Sequence, residues 1–164
     1  MPSANRELLD TFPWHETPLG PQSDWPVEMR SIVQAIMATD FPVCTGWGDD
    51  VIQIYNDAYN QIFGEKHPAS FGASLRDSWP EIWSFLSHAL GEVVRTGDPL
   101  IFRDTMLPLA KKGVPEECYL DFCYSAITAI DGRILGLMSI ATETTETVIS
   151  RRRQDMSRID AGAG

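Results

Sequence analysis

Along this chain the apolar residues fall into short runs with one of two periods, and each change of period marks an element. Leu120, Phe122 and Tyr124 alternate with Asp121, Cys123 and Ser125, the period of a strand with one face in a core. A second apolar run, Ile134–Ala141, follows across Asp131-Gly132, a pair that tolerates the positive φ of a tight hairpin turn. Upstream, Leu100–Leu109 reads as a strand and Lys111-Lys112-Gly113 as its turn, which makes a three-stranded meander. Phe41–Trp47 and Val51–Tyr55, joined by Gly48-Asp49-Asp50, predict an earlier hairpin.

The helical period appears in three places. Met29, Ile32, Val33, Ile36 and Met37 recur with Arg30, Ser31 and Gln34 opposite, which predicts an amphipathic helix over about 26–39. Pro26 suits its first turn, where no N–H is needed. Ile82, Phe85, Leu86, Ala89, Leu90 and Val93 form one stripe of a helix ending at Gly97. The spacing Ser78-Trp79-Pro80-Glu81 predicts a capping box that opens it. Asn56 is the expected N-cap of a short helix that stops at Gly64. From Thr144 the pattern turns helical again, with Thr145, Ile149, Arg152, Met156 and Ile159 spaced as a coiled-coil seam. Residues 1–24, with Pro13, Pro18, Gly20 and Pro21, predict an extended arm held by Phe12, Trp14 and Leu19. The chain therefore divides into an arm and cap helix (1–40), a core (41–143) and the start of a coiled-coil helix (144–164). The closing Ala-Gly-Ala-Gly reads as a cut or frayed terminus.

Composition narrows the function classes. A length of 164 residues with 43% hydrophobic content suits one globular domain. A net charge of −10 argues against a nucleic-acid partner, because phosphate binding needs a basic field. No apolar run approaches the ~20 residues of a bilayer span, and the first residues are too polar for a signal peptide. Three cysteines without C-x-x-C spacing predict no disulfide framework and no zinc site, so the expected compartment is the cytoplasm.

With these elements placed, the chain resembles a PAS sensory domain of the kind found at the N-terminus of bacterial sensor histidine kinases. The resemblance rests on Trp47-Gly48, Tyr55-Asn56-Asp57-Ala58-Tyr59, Trp79-Pro80-Glu81-Ile82-Trp83, Lys112-Gly113, Tyr124-Ser125-Ala126-Ile127 and Asp131-Gly132-Arg133, and covers about Phe41 to Glu146. It implies an α+β fold: a five-stranded antiparallel sheet covered on one face by short helices, with an N-terminal helix and a C-terminal signalling helix. It also implies a small, mostly apolar ligand site between sheet and long helix, lined by Tyr59, Phe63, Trp83, Phe85, Leu120, Phe122, Tyr124, Gly136, Met138 and Ile140. Taken alone, the same residues read first as a filled core and only second as a ligand site. At the exit, Glu143-Thr144-Thr145-Glu146 stands where the family often has Asp-Ile-Thr, which makes Glu143, Thr145 and Glu146 the expected signalling hinge. A homodimer is expected through Met29, Ile32 and Ile36 on the cap helix and Ile149, Met156 and Ile159 on the last helix. The implied effector is a downstream kinase or other signalling domain, and the alternative is a ligand-free interaction module.

Specific cofactors find little support. Heme PAS domains take an axial His from the long helix, but His88 falls about 140° from the buried stripe at about 100° per residue. Photochemical flavin domains need Asn-Cys-Arg-Phe-Leu-Gln on a helix, and Met138 stands where they place a Gln. No nucleotide-loop, zinc-protease or nucleophile-elbow signature occurs, so the chain is not expected to be an enzyme. Asp49-Asp50 and Glu116-Glu117 read as solvated turn charges.

Overall fold

The structure is a computed structural model and describes residues 3–163. Met1, Pro2 and Gly164, the outer ends of the expected arm and last helix, lie outside the described residues. Helix α1 spans Ala4–Thr11, α2 Val27–Met37, α3 Asn60–Phe63, α4 Leu75–Ser78, α5 Trp83–Thr96 and α6 Thr145–Gly162. Strands β1 (Val43–Trp47), β2 (Ile52–Tyr55), β3 (Leu100–Leu109), β4 (Glu116–Thr128) and β5 (Ile134–Glu143) form one antiparallel sheet in the order β2-β1-β5-β4-β3.

Local chemistry explains most of the boundaries. Asn56 accepts from the Tyr59 N–H at 3.2 Å and caps the turn into α3, as its side chain predicts. Its amide also donates to the carbonyls of Ile36, Thr39 and Phe41, which ties the end of α2 to the sheet. Gly97 closes α5 at φ 76°, a left-handed position that costs glycine nothing. Gly132 likewise turns β4 into β5 at φ 90°.

The capping box does not form. Ser78 ends α4 instead, where its hydroxyl accepts from Gln53 at 2.7 Å. Glu81 accepts from the Ala110 N–H and pairs with Lys66. The N-cap in this region is Ser74, which accepts from the Asp77 N–H. Longer-range partners outcompete the local ones.

The expected extended arm is also different. Residues 4–11 are helical, capped by Ser3, with Asn5 and Leu9 fully buried. Asn5 donates from its side chain to the Tyr55 carbonyl and the Asn60 side chain, and its N–H reaches Asp57. Phe12, Trp14, Trp25 and Phe71 form a ring cluster that holds this segment at the β2 edge. Isolated helices of this length are marginal in water, so α1 owes its form to docking.

The two sheet faces are covered differently. Helices α3–α5 cover the face that carries Leu120 and Phe122. On the other face Trp47, Ile52 and Ile54 are buried beside α2, which contacts β2. Trp47 lies over Gly136, where any Cβ would meet its ring at 2.7 Å. Farther along that face Ile101, Cys123 and Ile140 stand in one cross-strand row, with Ile101 and Ile140 exposed.

Candidate functional site

A cavity of about 50 Å³ lies between the sheet and helix α5. Leu86 and Leu90 of α5, Leu107 and Leu109 of β3, and Leu120 and Phe122 of β4 supply its apolar wall. Cys44, Gln53, Tyr59, Tyr124 and Ser139 supply its polar atoms. The strand alternation of β4 is what aims Leu120, Phe122 and Tyr124 inward together.

The sequence-predicted lining divides into three groups. Tyr59, Leu120, Phe122 and Tyr124 border the cavity, while Met138 lies along the same wall but pairs with Thr45 and Ser125 on the opposite face of the sheet. Phe63 is fully buried but stacks between Tyr55 and Trp79, while Phe85 packs against Phe102 and Phe122. Trp83 is half-buried under the Arg76 guanidinium. These three belong to the surrounding core rather than the cavity wall.

Strand β5 is a correction. The expected inward positions were Gly136, Met138 and Ile140, but Leu137, Ser139 and Ala141 face the cavity side. Ile140 is 43% exposed on the opposite face. A shift of one residue exchanges the two faces of a strand, and β5 is the central strand with an almost continuous apolar run, so it carries no alternation to set the choice.

Gln53 and Ser139 are the polar residues that the pattern reading missed. Each was visible as a single polar side chain inside an apolar strand, Ile52-Gln53-Ile54 and Met138-Ser139-Ile140. The Gln53 amide nitrogen donates to Ser78 Oγ at 2.7 Å and to the Ser70 carbonyl at 3.3 Å, so the amide orientation is set by a backbone acceptor. Its Oε1 is left buried with no partner, and so is Ser139 Oγ. Ser139 Oγ stands beside the Tyr59 and Tyr124 hydroxyls, close enough for hydrogen bonding to offset part of the rise in their titration, though no bond of strict geometry closes.

Burial raises the titration of Cys44, Tyr59 and Tyr124 well above their ordinary ranges, and the Cys44 sulfur adds to the effect at both tyrosines. All three are therefore neutral at physiological pH. No charged side chain lines the cavity.

A second constellation lies where β5 leaves the sheet. Glu143 forms a 3.0 Å ion pair with Lys111. Thr145 Oγ1 donates to the other Glu143 oxygen and accepts from the Tyr119 N–H at 3.0 Å. The Thr144 N–H donates to the Tyr119 carbonyl at 2.7 Å, and its hydroxyl donates to Asp104 at 2.9 Å. Asp104 sits at φ 43° in a bulge of β3 and also pairs with Arg151. Tyr119 donates to Glu117 and lies under the Arg152 guanidinium, 5.1 Å from its ring centre. Expected hinge residues Glu143 and Thr145 are thus joined by Lys111, Tyr119 and Asp104, which no local pattern marks. Glu146 is exposed in the first turn of α6.

The expected dimer residues split as well. Met29 and Ile36 are 4% and 5% exposed, because they face the sheet of their own protomer, and Ile32 is half-buried. Ile149, Met156 and Ile159 are exposed on α6, a helix with no buried residue.

The candidate heme-ligand position, His88, is exposed on α5, and among the described residues no cluster of three or more His, Cys, Asp or Glu is arranged to hold a metal ion. A drug-sized ligand takes ~300–1,000 Å³, several times the cavity volume.

Comparison with known proteins now places the domain. The model of the PAS fold family matches residues 40–149, more than half of the sequence, and the chain belongs to that family. Its sheet order and flanking helices are those of a PAS fold with helices at both ends. The PAS domain of BvgS from Bordetella pertussis is 15% identical, covering 81% of this chain and 98% of that one at a TM-score of 0.58. The PAS domain of a protein from Colwellia psychrerythraea is 10% identical, covering 72% and 98% at a TM-score of 0.54. A phage VqmA–DPO complex is 16% identical, covering 79% and 58% at 0.55. At these identities the likeness concerns the fold. A comparison with curated proteins found no match. Among the described residues no helix is long and apolar enough to cross a membrane.

Proposed function

We propose that this chain is a cytoplasmic sensory and dimerisation module. It binds a small ligand in the cavity and regulates a downstream effector, a histidine kinase in the first instance, through α6. The observation that carries this reading is the continuity of β5. The strand forms a cavity wall at Leu137–Ala141 and passes into α6 through Thr144 alone. A ligand that moves the cavity wall moves the strand that holds Glu143 and Thr145. It shifts the output only by the difference in its affinity for the two arrangements. In this reading Ile149, Met156 and Ile159 pair with a second copy, the chain itself performs no catalysis, and nucleic acid and membrane are not its partners.

The alternative is an interaction module that works without a ligand. Its support is the cavity volume of about 50 Å³, well below the ~150 Å³ in which a dry engineered cavity takes benzene. Native mass spectrometry of the freshly purified protein separates the two. Extra mass that disappears on denaturation supports the sensor; a clean dimer at the chain mass supports the assembly module.

A further inference from the structure

We infer that the cavity selects a compact, electrically neutral molecule that presents a hydrogen-bond donor to Gln53 Oε1; this rests on the ligand-binding reading above. Gln53 is 1% exposed and lines the cavity. Its nitrogen is occupied by Ser78 and the Ser70 carbonyl, so only the acceptor oxygen remains open. An unmet buried acceptor costs ~1–3 kcal/mol, and a donor brought by a ligand recovers that cost where an apolar isostere does not. Ser139, 6% exposed on the neighbouring part of the wall, has its hydroxyl beside the Tyr59 and Tyr124 phenols, so Gln53 Oε1 is the acceptor left open.

Neutrality follows from the rest of the lining. Cys44, Tyr59 and Tyr124 are held protonated by burial, and no Asp, Glu, Lys, Arg or His borders the space. An ion entering it would lose its water with no countercharge. Size is set by the void itself, so the occupant has few heavy atoms and the surrounding leucines repack around it.

The test uses three ring-shaped probes of equal heavy-atom count: pyrrole (an N–H donor), furan (no donor) and pyrrolidinium (a cation). Each is titrated into the full 164-residue chain while the methyl NMR signals of Leu86, Leu107 and Leu137 are followed. Pyrrole is expected to bind at least ~5-fold more tightly than furan, the factor equivalent to ~1 kcal/mol. Pyrrolidinium is expected to leave the signals unmoved. In Gln53→Met the pyrrole preference falls toward one, and in Ser139→Ala, which leaves the Gln53 bonds in place, it persists. Equal binding of pyrrole and furan to the wild type overturns the donor requirement but leaves the cavity as a ligand site. Uptake of pyrrolidinium overturns neutrality. Unmoved methyl signals with all three probes overturn the ligand site itself.

Discussion

The two ends of strand β5 work in opposite environments. At Leu137–Ala141 the strand borders a space where burial keeps every titratable group neutral and leaves Gln53 Oε1 without a partner. At Glu143, beside α6, the surrounding polar groups are paired, and the pairs are partly open to water. Open polar atoms in a dry cavity discriminate strongly between occupants, because each mismatch leaves a desolvated group unpaired. The outer pairs Arg151–Asp104 and Arg152–Glu117 are about half exposed; such pairs contribute little individually, ~0–1 kcal/mol, and so exchange partners cheaply, while Lys111–Glu143 is more enclosed. The first arrangement suits recognition and the second suits switching.

The largest effects are expected in the core that supports the recognition end. Phe63→Ala removes a fully buried ring stacked between Tyr55 and Trp79, and should cost ~3–5 kcal/mol in chemical denaturation. A loss below ~1 kcal/mol would show that this aromatic block is not part of the cooperative core. Gly136→Ala drives a Cβ into the Trp47 ring at 2.7 Å and the Gly46 carbonyl at 2.6 Å, and should cost ~1–3 kcal/mol.

Changes at the switching end should be smaller in stability and larger in output. Thr145→Ala removes the acceptor for the Tyr119 N–H and should cost ~1 kcal/mol. It should also free α6, read as faster amide exchange from Thr145 to Ile149; unchanged exchange would rule out Thr145 as the latch. Ile149→Asp should alter protomer stability by less than ~0.5 kcal/mol, because its side chain is exposed, while shifting sedimentation toward monomer. A dimer of unchanged strength would remove α6 from the interface.

The smallest effect is a pH dependence. Burial lowers the titration of His67, which shares a 2.8 Å hydrogen bond with the Tyr55 hydroxyl. The unfolded chain therefore binds a proton on this residue before the folded chain does. Stability should be full above pH 6.5, the unperturbed value, and decline as pH falls below it toward the lowered folded value. His67→Gln should flatten that decline in thermal melts; an identical slope in both proteins would assign it to other groups.

Much of this molecule was legible in its residues. The alternation of Leu120, Phe122 and Tyr124 aimed them correctly, Leu100–Leu109 is a strand to the residue, and Asn56 and Gly97 end their elements by local chemistry. These features depend on neighbours within a turn or two, and such neighbours are what a sequence displays. The facing of β5, the docking of α1, the loss of the Ser78–Glu81 box and the union of Lys111, Asp104 and Tyr119 at the exit were decided by the tertiary structure. A central strand that is apolar throughout has no period to orient it. A short helix exists because Asn5 and Leu9 find a surface 50 residues away in the chain. A side chain that can cap locally instead serves the distant partner that would otherwise be buried unpaired.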